Sequence, residues 1–181
     1  DSIRYGFFQS ISIVTTTGYT LEPLSGLGGS VGFLIFVLAF IGACSGSVGG
    51  GMKVWRILLM LKVGFSNITK IIHPSAINSV KLNGEKIISS QIEAVFSFIA
   101  IYISFFLLFM LVLIFQNVDF YSAFSGTAAA INNLGPGLGS FSENYSTLSD
   151  VGKFTLTMAM IIGRLELFGV LILFVPSFWR S

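Results

Sequence analysis

Two short loops hold the residues whose types and spacing point most directly to chemistry. Thr15-Thr16-Thr17-Gly18-Tyr19-Thr20 is a run of threonines ending in glycine and an aromatic residue. Such a run can line up backbone carbonyls as a cage for a dehydrated alkali cation. Glycine is needed where one residue must turn its carbonyl inward through a conformation that a side chain resists. Further along, Asn132-Asn133-Leu134-Gly135-Pro136-Gly137 is a second candidate of the same kind. Each is followed by a long apolar stretch. Two such loops in one chain point to a cation pore.

The elements around the loops suit that task. Ser2 to Val14 reads as a short amphipathic helix, too short for a bilayer that needs about 20 residues. It fits a re-entrant pore helix aimed at the first loop. Gly28 to Ala43 is apolar and breaks in Gly42-Ala43-Cys44-Ser45-Gly46-Ser47-Val48-Gly49-Gly50-Gly51, and the pattern resumes over Met52 to Val63. Two half-helices around a flexible break fit one broken membrane helix, tolerated where protein or water satisfies its polar groups. Val80 to Ile87, around Asn83-Gly84, predicts a β-hairpin. Val95 to Phe115 predicts a spanning helix. Tyr121 to Ile131 predicts a second short helix leading into the second loop. Asp150 is placed to cap a last helix running to about Val175.

Composition agrees. Hydrophobic residues make up 54% of the chain and charged residues 10%, against about 25% charged in a soluble domain. A net charge of +2 without a basic arm or stripe argues against nucleic acid. One cysteine, Cys44, excludes an internal disulfide, and one histidine, His73, leaves no His/Cys metal cluster or triad. No catalytic site is legible, and no cofactor is expected beyond the transported ion. Lys53, Arg56, Lys62, Lys70, Lys81 and Lys86 cluster between the halves, whereas Gln116 to Asp150 carries no Lys or Arg. The positive-inside rule then places residues 53–90 in the cytoplasm and opens both loops outward. The chain begins at Asp1, inside what reads as a structural unit, so a piece of a longer protein is expected.

The segments TTTGYT, GACSGSVGGGMKVWR, INNLGPGLG and GRLELFGVLILFVPSFW together resemble the Trk/Ktr/HKT superfamily of potassium transporters, most closely its bacterial TrkH-like type. That resemblance implies an all-α membrane protein built from helix, re-entrant pore loop, helix repeats like a potassium-channel subunit, with a short cytoplasmic β-hairpin. Residues 1–65 match a third repeat lacking its first helix, 66–90 a cytoplasmic linker, and 91–181 a fourth repeat. The filter is then Thr16, Thr17, Gly18 and Tyr19 with Asn133, Leu134, Gly135 and Pro136. Potassium would sit at the carbonyls of Thr17, Gly18, Leu134 and Gly135. The resemblance also implies a multi-pass protein of the bacterial inner membrane in contact with lipid, a homodimer, and a cytoplasmic nucleotide-binding partner of the TrkA type.

Two features keep alternatives open. The break from Gly42 to Gly51 is a gate under the filter by resemblance, or a close helix-packing surface made by small residues. A phosphate loop is excluded, because Met52 separates Gly51 from Lys53, Val54 replaces Ser/Thr and no strand precedes it. Arg164 lies in an apolar span, where a charge costs about 2.5–3.5 kcal/mol on insertion scales. By resemblance it is a pore barrier; otherwise it makes a structural ion pair or reaches the cytoplasmic face. For the whole chain the alternative to potassium uptake is a non-conducting membrane scaffold or assembly subunit of the same fold. An intramembrane enzyme lacks a nucleophile and base.

Overall fold

The computed structural model describes residues 2–21, 29–42, 44, 46, 47, 49–74, 80–82, 84–142, 144–173 and 175–180. The chain is mostly helical. Its elements are α1 (Ser2–Val14), α2 (Gly29–Ile41), α3 (Val54–Ile72), β1 (Lys81–Leu82), β2 (Glu85–Lys86), α4 (Ser89–Phe115), α5 (Phe120–Ile131), α6 (Asp150–Arg164) and α7 (Glu166–Leu173). Short 3₁₀ turns follow at Gly139–Phe141 and Pro176–Arg180.

The core forms around α5. Nine of its 12 residues are buried, from Ser122 and Ala123 through Ser125 to Ile131. A helix enclosed on every side must be small or apolar all round, and FYSAFSGTAAAI meets that with three successive alanines. Helices α2, α4 and α6 pack against it. Phe98, Phe106, Phe109, Met110 and Leu113 of α4 join Leu156 and Ala159 of α6 in one apolar cluster with Ile13 and Ala39. Phe124 sits among aromatics, with its ring centroid 5.4 Å from Phe106 edge-on and 6.0 Å from Phe40. Such pairs add to plain area burial. Helix α1 is different: Gln9, Ser12 and Ile13 are buried, whereas Ile3, Phe7 and Ile11 are exposed.

Helix α4 has 27 residues and is long and apolar enough to cross a membrane; at 1.5 Å per residue it measures about 40 Å. It starts six residues before the expected Val95, because Ser89 to Ala94 continue the helix in polar form. Helix α3 likewise runs past Val63 to Ile72 and stops where His73 meets Pro74, whose ring disfavours helical backbone before it. The strands are shorter than the Val80 to Ile87 pattern suggests. They pair antiparallel as Lys81 with Lys86 and Leu82 with Glu85. Asn83 lies outside the described residues.

The largest departure from expectation is at the C-terminal end. The expected single helix from Asp150 is two, α6 and α7, bent by 107°. Glu166 takes a left-handed backbone with φ of 50° and ends the α6 course. The cap also moves by one residue: Ser149, not Asp150, is the N-cap of α6, and its side chain accepts from Gly152 N–H at 3.1 Å. Ser149 in turn donates to Gln116 Oε1 at the end of α4.

At the start of α5, Asp119 is the N-cap, and Oδ2 accepts from Ser122 N–H at 2.9 Å. That bond holds its carboxyl below the usual carboxylate range, outweighing a small opposing effect of burial. Because the native value is depressed, the cap contributes fully above the ordinary carboxylate range and is lost as pH falls through the native value. Asp119→Ala is expected to cost about 1 kcal/mol, read as a lower Tm in detergent at neutral pH. Asp119→Asn, which keeps an acceptor, should lose less, and its difference from the parent should vanish on acidification. Equal Tm values for all three at pH 7 would show that the cap does not hold α5.

Candidate functional site

Both short helices end in the same way. Helix α1 closes with Thr16 N–H donating to Ile13 O at 3.0 Å and Thr17 N–H to Ser12 O at 2.9 Å. Helix α5 closes with Asn133 N–H donating to Ala130 O at 3.0 Å and Leu134 N–H to Ala129 O at 2.8 Å. Each is a Schellman motif, in which a left-handed residue turns the chain back over its last carbonyls. The left-handed residues are Thr16 and Asn133, both with φ of 54°. Two residues beyond them come Gly18 and Gly135, with φ of 79° and 100°. The two candidate loops therefore share these turns, although Gly18 and Gly135 are their only common residue type at matching positions.

The loops also meet. A Cβ placed on Gly18 would overlap the Leu134 carbonyl oxygen and touch Pro136 Cδ at 3.4 Å. Gly135 has open space around it, so only its backbone angle asks for glycine. Thr17 and Tyr19 lie on the first loop, where Ser12 Oγ donates to Tyr19 O at 2.7 Å. The second loop turns back along α5. Leu138 N–H donates to Ser125 Oγ at 2.9 Å and Ser140 N–H to Ser122 Oγ at 2.9 Å. Tyr145 Oη donates to Gly135 O at 2.9 Å. Asn132, fully buried, accepts on Oδ1 from Tyr102 Oη at 2.8 Å, and its Nδ2 has no partner. These serines and tyrosines were not legible as site residues, because nothing in their local sequence marks them as loop supports.

Physically, two helix C-termini converge with the loops. The C-terminal end of a helix carries partial negative charge on its unpaired carbonyls, which favours a cation. Neither loop carries a carboxylate, so any ion held here would be held by backbone oxygens. Among the described residues no group of His, Cys, Asp and Glu could hold a metal ion.

The glycine-rich break touches both loops. Its ends meet, with Met52 N–H donating to Phe40 O at 3.0 Å. Gly50 is wedged between the loops: its N–H donates to Thr16 Oγ1 at 3.2 Å, and a Cβ there would overlap the Asn132 carbonyl. Only glycine allows that approach. Gly42 and Gly50 are buried, whereas Cys44, Gly46 and Ser47 are exposed. Ala43, Ser45 and Val48 lie outside the described residues. Ser47, Gly49, Gly51, Lys53, Arg164 and Glu166 line a cavity of about 140 Å³ that Gly50 and Gly163 complete. Arg164, the last residue of α6, is exposed and stands opposite the break.

Glu166 is the charge at the centre of this region. It pairs with Lys53 Nζ and, at 3.1 Å, with Arg56 Nη2. Arg56 also lies 3.9 Å from the Phe98 ring centroid. Glu166 is 113 residues from Lys53 and 110 from Arg56, so spacing could not join them. Glu166→Gln should leave two mostly buried cations without a counter-charge. The loss for a fully buried pair is about 3–5 kcal/mol; with the Glu166 side chain 45% exposed, about 1–3 kcal/mol is expected. The check is the Tm in detergent, and Lys53→Met added to Glu166→Gln should recover part of it. A Tm unchanged by Glu166→Gln would mean that solvent already screens the cluster.

Comparison with known proteins shows the family. The TrkH cation transport protein family matches residues 1–181. The Trk system potassium uptake protein TrkH of Halomonas elongata is 43% identical over 181 residues, covering 100% of this chain and 38% of the relative. Its counterpart in Escherichia coli K12 is 41% identical over 180 residues, covering 99% and 37%. The crystal structure of the potassium transporter TrkH from Vibrio parahaemolyticus superposes with a TM-score of 0.89 at 40% identity, covering 97% of this chain and 38% of that one. The chain thus spans under two fifths of the length of these relatives. Its apolar composition and α4 are those of a membrane protein, and the chain belongs to the TrkH family of cation transport proteins.

Proposed function

We propose that this chain supplies two of the filter loops of a potassium uptake pore. The observation that carries the reading is the repeated turn, a helix C-terminus followed by a left-handed residue and a positive-φ glycine, with the two loops in contact. Thr17, Gly18, Leu134 and Gly135 would offer carbonyls in place of the water shed by potassium. Four loops make such a ring in a potassium channel, so two further loops would complete it. The names of the relatives support potassium as the ion. Residues 1–65 and 91–181 would be two pore repeats joined by a linker with its hairpin, the loops opening outward and residues 53–90 facing the cytoplasm. The family resemblance further suggests the bacterial inner membrane, a homodimer and a TrkA-like nucleotide-binding partner.

The break from Gly42 to Gly51 would act as the gate. Its root is fixed at Gly50 between the loops, and its tip at Gly46 and Ser47 is exposed. Arg164 across the cavity would add an electrostatic barrier, since arginine stays charged at any working pH. The same glycines also make close packing contacts, so packing and gating are properties of one segment. A non-conducting scaffold of the same fold would require no selectivity from Gly18 or Gly135.

Three variants test this in the full-length protein in liposomes. Gly18→Ala should abolish potassium flux or its preference over sodium, because the added carbon meets the Leu134 carbonyl. Gly135→Ala should be milder, since strain alone opposes it, at about 1–2 kcal/mol for a left-handed residue. Wild-type selectivity in both variants, with assembly intact, would refute the filter assignment. Arg164→Ala should raise flux per assembled protein and leave selectivity unchanged. A destabilised, non-conducting Arg164→Ala would instead assign the arginine a structural role.

A further inference from the structure

Resting on the filter reading, we propose that Tyr145 is a positioning residue for the second loop: its hydroxyl holds the Gly135 carbonyl in the orientation that ion selection requires. Tyr145 lies ten residues past Gly135 in the segment returning to α6, outside the four motifs that identify the family. Its Oη donates to Gly135 O at 2.9 Å. The ring stacks on Phe141, with centroids 4.9 Å apart and planes 21° from parallel. Phe141 is itself fixed, since Gly137 N–H donates to its carbonyl at 3.1 Å.

The space around the hydroxyl is built by small residues. A Cβ on Gly137 would stand 3.1 Å from Tyr145 Oη and 2.9 Å from Phe141 Cβ. A Cβ on Gly126 of α5 would meet Phe141 Cδ2 at 2.7 Å. Burial pushes the Tyr145 phenol up to about 12, so it remains a neutral donor across the working range.

The peptide it grips needs such a device. Gly135 has a positive φ and open space where its side chain would be, so no side-chain contact of its own fixes its carbonyl. The following residue is Pro136, which has no N–H. The Gly135–Pro136 peptide can therefore be hydrogen-bonded only through its oxygen. The first loop has a different arrangement, with Ser12 Oγ donating to the carbonyl of Tyr19, one residue beyond its glycine.

Tyr145→Phe removes the hydroxyl and keeps the ring. In full-length protein in liposomes it should lower selectivity for potassium over sodium by about fivefold, the worth of one hydrogen bond, with the amount of assembled protein unchanged. A second measurement reads the bond itself. Gly135–Pro136 is the one Gly-Pro peptide in residues 1–181. Labelling with carbonyl-¹³C glycine and ¹⁵N proline marks it, and among any other Gly-Pro peptides of the full protein its signal is the one missing from a Gly135→Ala sample. The marked ¹³C resonance should move upfield in Tyr145→Phe as the hydrogen bond is lost. An unmoved resonance, or wild-type selectivity in Tyr145→Phe beside impaired selectivity in Gly18→Ala, overturns the positioning role and leaves the filter standing. Wild-type selectivity in Gly18→Ala and Gly135→Ala as well overturns the filter reading itself. A Tyr145→Phe protein that does not assemble overturns the proposal in favour of a purely structural tyrosine.

Discussion

Backbone carbonyls at the end of a buried helix must be satisfied locally, and this requirement governs the centre of the molecule. Helix α5 is enclosed by α2, α4 and α6, so water does not reach its last turn freely. The chain answers by folding back through Asn133, returning two N–H groups to the carbonyls of Ala129 and Ala130. The same solution at α1 uses Thr16. Once the chain has turned back, the next residues run out beside their own helix and bring their carbonyls to the helix's negative end. Helix termination thus gathers backbone oxygens, the kind of ligand that the proposed filter would use, with no acidic side chain required.

The second organising contact is the Glu166 cluster. An α-helix continuing past Arg164 would carry Glu166 away from Lys53 and Arg56. The observed left-handed backbone at Glu166 and the 107° bend instead bring the carboxylate to both cations. The cluster ties the start of α3 to the junction of α6 and α7. It thereby frames the cavity that the glycine-rich break and Arg164 share. Arg56 also leaves Nη1 buried without a partner, so the cluster is held at some cost in desolvation.

Much of the local structure was legible in sequence. Ser2 to Val14 is helical over those residues, Tyr121 to Ile131 to within one residue, and the break after α2 falls where the glycines cluster. These features depend on neighbours in the chain. What was not legible depends on distant partners. Gly163 stands two residues before the break at Leu165, but the cations that meet Glu166 after the bend sit at the start of α3 and could not be read from it. Thr16 and Asn133 were expected to flank the turn, not to make it: a β-branched threonine rarely takes a left-handed backbone, and glycine drew attention to Gly18 and Gly135. Tyr102 on α4 and Tyr145 past the loop reach their acceptors only after the helices have packed. Composition could place the loops, whereas their supports emerge from tertiary structure.

Gly50 brings these levels together. Its N–H is bound by the Thr16 hydroxyl, and its missing side chain lets the Asn132 carbonyl approach. Thr16 and Asn132 belong to the turns that close α1 and α5, so one residue of the break touches both. Any displacement of the root of the break must give up the Gly50 bond and expose the Asn132 oxygen. Conversely, a change in either turn alters the surface on which Gly50 rests. Coupling of this kind is reciprocal by thermodynamic necessity: if ion occupancy biases the position of the break, the position of the break biases ion affinity by the same free energy. Among the described residues, the exposed tip bonds within itself, Ser47 N–H donating to Cys44 O and Gly49 N–H to Ser47 Oγ, so it is the root at Gly50 that ties the break to the turns.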